Sequence, residues 1–130
     1  MIIGFITHIS AQDRAFTTNA NAFIIRDSTI TTNHIIRILI QNGYLIRNVG
    51  SSIIETEYKS FKRDNMYISM LFNFIDGNIY IRGNMRIIAS PEGDETFHIR
   101  NAIGFKDEFN HIYNLLKQIK PDIVIEAVVL

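Results

Sequence analysis

The sequence predicts a single α+β domain. It would hold an antiparallel sheet of four to six strands, a meander round a central hairpin at 66–88, with two helices packed on one face. Three observations carry this. Apolar and polar residues alternate in matched register on either side of Asp76-Gly77. Two segments, Ile35 to Ile40 and Phe105 to Ile119, place apolar residues at helical spacing. The 130 residues, 47% hydrophobic and 20% charged, suffice for one core but not two.

The hairpin follows from geometry, since alternate strand residues point to opposite faces. Met66, Ile68, Met70, Phe72 and Phe74 share one face, as do Ile79, Ile81, Met85 and Ile87. A two-residue type I′ turn at Asp76-Gly77 needs positive φ at both positions. It pairs Ile75 with Asn78, Phe74 with Ile79, Phe72 with Ile81, Ile68 with Met85 and Met66 with Ile87. Both apolar sets then lie on one side. Gly83 falls opposite Met70, where it makes room for that side chain or marks a bulge. The other face pairs Asn73 with Tyr80, Leu71 with Arg82, Ser69 with Asn84 and Tyr67 with Arg86.

The remaining elements follow in chain order. Met1 to Ile9 is mostly apolar, and Ile9-Ser10-Ala11 before Gln12-Asp13 resembles the end of a secretory signal peptide, although no positive n-region precedes it. The same stretch also reads as a first strand over Ile2 to Ile9. Residues 1–21 are therefore a leader or a first strand, and 22–130 the domain.

Ala22 to Arg26 is a short strand ending at Asp27-Ser28. Thr31 or Thr32 caps a helix whose apolar stripe is Ile35, Ile36, Leu39 and Ile40, with Arg37 and Gln41 opposite. Asn42-Gly43 stops it. Tyr44 to Val49 and Ile53 to Tyr58 are strands around Gly50-Ser51-Ser52. Ser60 to Asn65 is a polar loop into the hairpin, and Ala89 to Glu95, with Pro91 and Gly93, is a loop after it. Phe97 to Ile103 permits one more strand.

The second helix carries Phe105, Phe109, Ile112, Tyr113, Leu116 and Ile119 on one stripe. Acidic residues sit near its start and Lys117 and Lys120 near its end, as the helix dipole prefers, and Pro121 stops it. Ile123 to Leu130 is apolar and β-prone: a paired strand, a buried tail or a surface for self-association.

This order, with Asn42-Gly43-Tyr44 between helix and strand, resembles small TBP-like or helix-grip domains of uncharacterised secreted bacterial proteins. The likeness spans Ala22 to Ile119 as element order alone and carries no functional residues across. It implies a binding or assembly module rather than an enzyme.

Composition narrows the chemistry. Lys plus Arg equals Asp plus Glu at 13 each, so the net charge is zero, against a broad electrostatic footprint for nucleic acid or anionic membrane. No cysteine is present, which removes thiolate catalysis and Cys-based metal sites. Isoleucine makes up about a fifth of the chain, favouring strands. No apolar run reaches transmembrane length. The glycines form no nucleotide-binding loop, and no G-x-S-x-G elbow occurs.

Two constellations were weighed for chemistry. His98, His111 and Asp107 would make a metal site only if they converged, and scattered surface histidines are the simpler reading. Glu55 and Glu57 share a strand face and can serve as acid and base, but Lys59 continues that face as in a solvated strand. No catalytic residue, metal or cofactor is assigned.

The best candidate surface is the polar hairpin face, Tyr67, Tyr80, Arg82, Asn84 and Arg86, extended by Lys62 and Arg63 of the preceding loop. Arginine beside tyrosine binds anions, stacks on bases or grips acidic peptide; the alternative is cross-strand stability alone. The expectation is a non-enzymatic binding or assembly domain, exported to the periplasm or cell envelope, that meets a protein or small ligand, or its own copy through the C-terminal segment. The alternatives are a cytoplasmic enzyme or ligand-binding protein with a pocket between sheet and second helix, and a nucleic-acid module using the Arg/Tyr face.

Overall fold

The computed structural model describes residues 16–89, 91 and 93–130. In chain order the elements are β1 (Ala22–Ile25), α1 (Thr32–Gln41), β2 (Ile46–Val49), β3 (Ile53–Thr56), β4 (Lys59–Phe61), β5 (Arg63–Ile75), β6 (Asn78–Ala89), β7 (Gly93–His98), α2 (Lys106–Leu116) and β8 (Glu126–Val128). The expected α+β class holds. The sheet has eight strands among the described residues rather than four to six, and every pairing is antiparallel. The expected strand or signal remnant at 1–11 lies outside the described residues.

The spine is the β5–β6 hairpin, registered from Met66↔Ile87 to Ile75↔Asn78. Asp76 and Gly77 have φ of 50° and 80°, the positive values a type I′ turn needs. Each long arm is flanked by two short strands laid end to end. On β5, β3 pairs with Leu71 to Asn73 and β4 with Arg63 to Ile68. On β6, β1 pairs with Ile79 to Ile81 and β7 with Asn84 to Ala89. The order β2-β3-β5-β6-β1-β8 is therefore not a simple meander. Strand β1 is buried on both faces, which suits its interior place between β6 and β8.

Two stretches expected as loops are strands. Ser60 to Asn65 contributes to β4 and the start of β5, and Gly93 to Glu95 opens β7. Both lack an apolar alternation because they pair through the backbone at the rim of the sheet, where only Phe61 and Phe97 pack against the core; β7 is exposed at five of its six positions. Ile123 to Leu130 narrows to the three residues of β8, with Ile123 and Ile125 buried before it.

Between β3 and β4 the chain bulges. Three residues, Thr56, Glu57 and Tyr58, oppose two, Met70 and Ser69, because Glu55 pairs with Leu71 while Lys59 pairs with Ile68. A one-residue insertion reverses the facing of everything beyond it. Lys59 therefore points to the helix side, not along the face of Glu55. At the bulge the buried Thr56 Oγ1 accepts from Met70 N at 2.9 Å, replacing the lost ladder bond.

Both helices cover the Met66-to-Phe74 face. The Thr31 hydroxyl accepts from His34 N at 3.2 Å and caps α1. At its other end Gly43, with φ of 85°, donates to Ile40 O and Tyr44 N to Leu39 O, the paired bonds of a Schellman stop. Tyr44 is thus part of this stop rather than of β2. Helix α1 buries Ile35, Ile38 and Leu39, with Ile36 partly buried, whereas Ile40, expected on the stripe, is 58% exposed. Helix α2 buries Phe109, Ile112, Tyr113, Leu115 and Leu116, and also Glu108.

Gly83 serves α2 rather than Met70. A Cβ there would stand 2.3 Å from Ile112 Cδ1 and 3.1 Å from Ile99 Cδ1. The helix rests directly on the β6 backbone, and Phe109 stacks on Phe23 at 4.5 Å. Phe16 packs edge-on against Phe109 and Tyr113, and Ala20 is fully buried, so residues from Phe16 onward belong to the domain.

Candidate functional site

The outer sheet face is built from cross-strand rows. One row runs Ile53, Asn73, Tyr80, Ile24, Glu126; the next runs Glu55, Leu71, Arg82. Ser69, Asn84 and His98 form a third, and Ser60, Tyr67, Arg86 and Thr96 a fourth. Tyr67, Tyr80, Arg82, Asn84 and Arg86 thus share one surface, turned away from both helices and outside the hydrophobic core.

Their partners divide them. Arg86 Nε donates to Asp94 Oδ2 at 2.9 Å, and its Nη2 donates to the same oxygen. Its guanidinium lies 5.7 Å from the Tyr58 ring centroid, so Tyr58 at the bulge, rather than Tyr67 directly opposite, is the ring it contacts. Asn84 Oδ1 and His98 Nδ1 are 3.0 Å apart. Arg26 Nε donates to Glu126 Oε2 at 2.7 Å at the edge of the face. Of Arg26, Arg82 and Arg86, only Arg82 has no acidic partner among the described residues.

Lys62 and Arg63 do not extend this surface. Lys62 ion-pairs with Asp107 and approaches Glu108 at 4.0 Å, at the start of α2. With Arg63, Met66 and Gly104 they line a hollow of about 280 Å³ on the helix side. The bulge and the tight turn at Lys62, whose φ is 65°, carry this end of the hairpin round to that face. The basic loop therefore reinforces packing of α2, and no continuous basic patch forms with Arg82.

The pair considered for acid–base work is separated: Glu55 is in β3 and Glu57 falls in the bulge. His98 and His111 do not converge, because His98 meets Asn84 on the outer face while His111 meets Tyr44 on the inner side. No cluster of three or more metal-ligating side chains occurs among the described residues.

The inner polar cluster went unseen in the sequence. The Tyr44 hydroxyl lies 2.9 Å from His111 Nε2, Phe61 packs 4.8 Å from the imidazole, and Lys59 Nζ sits 5.5 Å from the Tyr44 ring centroid. Burial and then Lys59 lower the His111 pKa, and burial raises that of Tyr44. Only an unpredicted bulge brings Lys59 there, so no local pattern signalled the cluster.

The sheet–α2 interface is filled by Phe23, Phe109 and Ile112 against Gly83, and a roomier hollow lies elsewhere. That hollow, about 520 Å³, opens beside α1 between Thr29, Thr31, His34, Arg37 and Lys120. Two of its groups are already engaged, His34 Nε2 with the Ile119 carbonyl and Lys120 with Asp27. Among the described residues no helix is long and apolar enough to cross a membrane. No family model, no curated protein and no solved structure matches the chain.

Proposed function

We propose that the protein is a non-enzymatic binding domain that takes a protein partner on its outer sheet face. One observation carries this reading: the outer surface of β4, β5 and β6, with Tyr58 of the bulge, displays Tyr67, Tyr80, Ser60, Asn73, Asn84 and Arg82, which has no ion pair among the described residues. Tyrosine gives large amphipathic contact area at low entropic cost, while serine and asparagine adapt their hydrogen bonds; protein-recognition surfaces favour this mixture. A rigid sheet holds such groups better than loops do. The hollows beside α1 and α2 sit away from Tyr67, Tyr80 and Arg82, and one of about 270 Å³ reaches only the Arg26–Glu126 edge of the face, which favours a macromolecule over a small ligand.

Local charge favours protein over nucleic acid, since Arg86 is neutralised by Asp94 and Arg26 by Glu126. The apolar Met1-to-Ala11 stretch supports an exported setting. The element order supports a likeness to TBP-like or helix-grip domains, in which a curved sheet grips helices on one side.

Site-specific photo-crosslinking in the source cells tests the reading. A photoreactive residue at Tyr67 or Arg82 should give discrete protein adducts, and one at the exposed Asn114 of α2 should not. Equal labelling from both sides overturns it. So does salt-sensitive retention on single-stranded RNA that is lost in Arg82→Ala/Arg86→Ala.

A further inference from the structure

We propose that the occupant of the outer face is a second copy of this chain, the two sheets packing face to face about a twofold axis that runs along β5 through Leu71. This rests on the reading of that face as a binding surface and names its partner. The row Glu55, Leu71, Arg82 is antisymmetric in charge about its centre. Neither Glu55 nor Arg82 has an ion pair within its own chain among the described residues.

A twofold axis lying in the interface and along β5 exchanges left and right. It sets Arg82 of each copy over Glu55 of the other and brings Leu71 against its own equivalent. A twofold contact must be self-complementary in this way.

Two other outer-face rows obey the same operation, while the Ser69–Asn84 row between them meets the bulge on its β3–β4 side. Across Ile53, Asn73, Tyr80 the two Asn73 amides meet, and amides donate and accept reciprocally, while Ile53 lies against Tyr80. Across Ser60, Tyr67, Arg86 the two Tyr67 rings meet and Ser60 faces Arg86. Two strands flank β5 on each side, β3 and β2 on one, β6 and β1 on the other, so the overlap is balanced. Sheets stacked about 10 Å apart leave room for an Arg–Glu pair to span the gap.

Zero net charge imposes no long-range repulsion between copies. Strands about 4.8 Å apart rising about 3.3 Å per residue give four columns (β3 with β4, β5, β6, β1 with β7) by about eight residues a footprint of roughly 500 Å². The total of roughly 1,000 Å² is at the lower bound for a specific interface, which implies a dimer in exchange with monomer.

Sedimentation velocity on the purified chain, from about 10 µM to about 1 mM at low salt, tests this. The wild type should show a concentration-dependent dimer. Arg82→Glu and Glu55→Arg should each weaken it about tenfold or more, since each sets like charges opposite one another. Glu55→Arg/Arg82→Glu should restore it to within about threefold of wild type, which neither misfolding nor a loss of solubility would do. A chain that stays monomeric throughout overturns the proposal, as does a double variant no better than the singles. So does a dimer indifferent to both charges but lost in Val129→Asp/Leu130→Asp, which would place self-association at β8. If the chain is monomeric while Tyr67 and Arg82 crosslink to a different protein, this proposal falls and the binding face stands.

Discussion

The Tyr44 hydroxyl and His111 Nε2 lie 2.9 Å apart in a hydrogen bond that joins the C-terminal stop of α1 to the half-buried His111 of α2 beneath the β4 arm. Burial raises the phenol pKa, so Tyr44 keeps its proton, and burial together with Lys59 lowers that of His111, which favours the neutral imidazole. Phe61 and Lys59 close the site from β4, while Lys62 is drawn aside by Asp107 and Glu108.

The sign of the resulting pH dependence is fixed. With the His111 pKa below 6.5 in the folded state, the unfolded chain binds more protons between the two values. The contribution to stability is complete above pH 6.5 and is lost as the pH falls through 6.5 toward the lowered value. Urea midpoints of the wild type should drop over this range relative to His111→Phe, which has nothing to titrate. At pH 8 that variant should itself be less stable by about 1–3 kcal/mol, because the Tyr44 hydroxyl loses its hydrogen-bond partner. Parallel midpoint-against-pH curves for the two proteins would remove His111 as the cause.

The β3–β4 bulge depends on Thr56. Its hydroxyl, on a residue 1% exposed, is the acceptor for Met70 N where no ladder carbonyl is available. Thr56→Val keeps the shape and deletes the acceptor, so it should cost about 1–3 kcal/mol and speed exchange of the Met70 amide hydrogen. Thr56→Ser should retain slow exchange. Unchanged protection of Met70 in the valine variant would show that another acceptor satisfies it.

How much of this was legible follows from where side-chain pattern controls structure. The β5–β6 register was readable to the residue, because a one-position slip would expose Phe72 and Phe74 and bury Arg82. The outer-face residues came with it, since facing is a consequence of register. Helix α2 was readable from its stripe, but Glu108 within it breaks the pattern and is buried beside Lys62. Strand β4 and the Gly93-to-Glu95 start of β7 were not readable, since their pairing is backbone to backbone and Ser60 or Asp94 carries no apolar signature. The strand expected over Phe97 to Ile103 ends at His98. The bulge was hidden for a related reason, since one inserted residue leaves no compositional mark yet reverses Lys59. The Glu55–Leu71–Arg82 row needed the β3–β5 register, which local pattern does not supply.

Asp27 ties the start of the fold to its end. Its carboxylate accepts from Lys120 Nζ at 2.5 Å and from Thr29 N at 2.9 Å, linking the β1–α1 turn to the segment after α2. The Lys120 bond, then the Thr29 bonds, lower its pKa to about 2 from an ordinary value of 3.8. A depressed carboxylate stabilises the fold above pH 3.8, and that contribution disappears as the pH falls toward 2. NMR titration of the Asp27 carboxyl should give a midpoint well below the ordinary value, and Lys120→Met should move it up toward 3.8. A midpoint unaffected by Lys120→Met would show that the Thr29 turn alone holds the carboxylate.

Helix α2 lies directly on the β6 backbone at Gly83, and this makes a paired prediction. A methyl group there would meet Ile112 Cδ1 at 2.3 Å, and Ile112 is 1% exposed with little freedom to turn aside. Overpacking of this kind costs about 1–3 kcal/mol, so Gly83→Ala should lower the unfolding free energy by that amount and the urea midpoint with it. Ile112→Val removes the clashing atom and alone should cost about 0.5–1.5 kcal/mol. Combined, the two changes should be less destabilising than their sum, because the void left by one is filled by the other. Additive losses would mean that α2 shifts as a body away from β6 when Gly83 is replaced, and that Ile112 does not set the spacing.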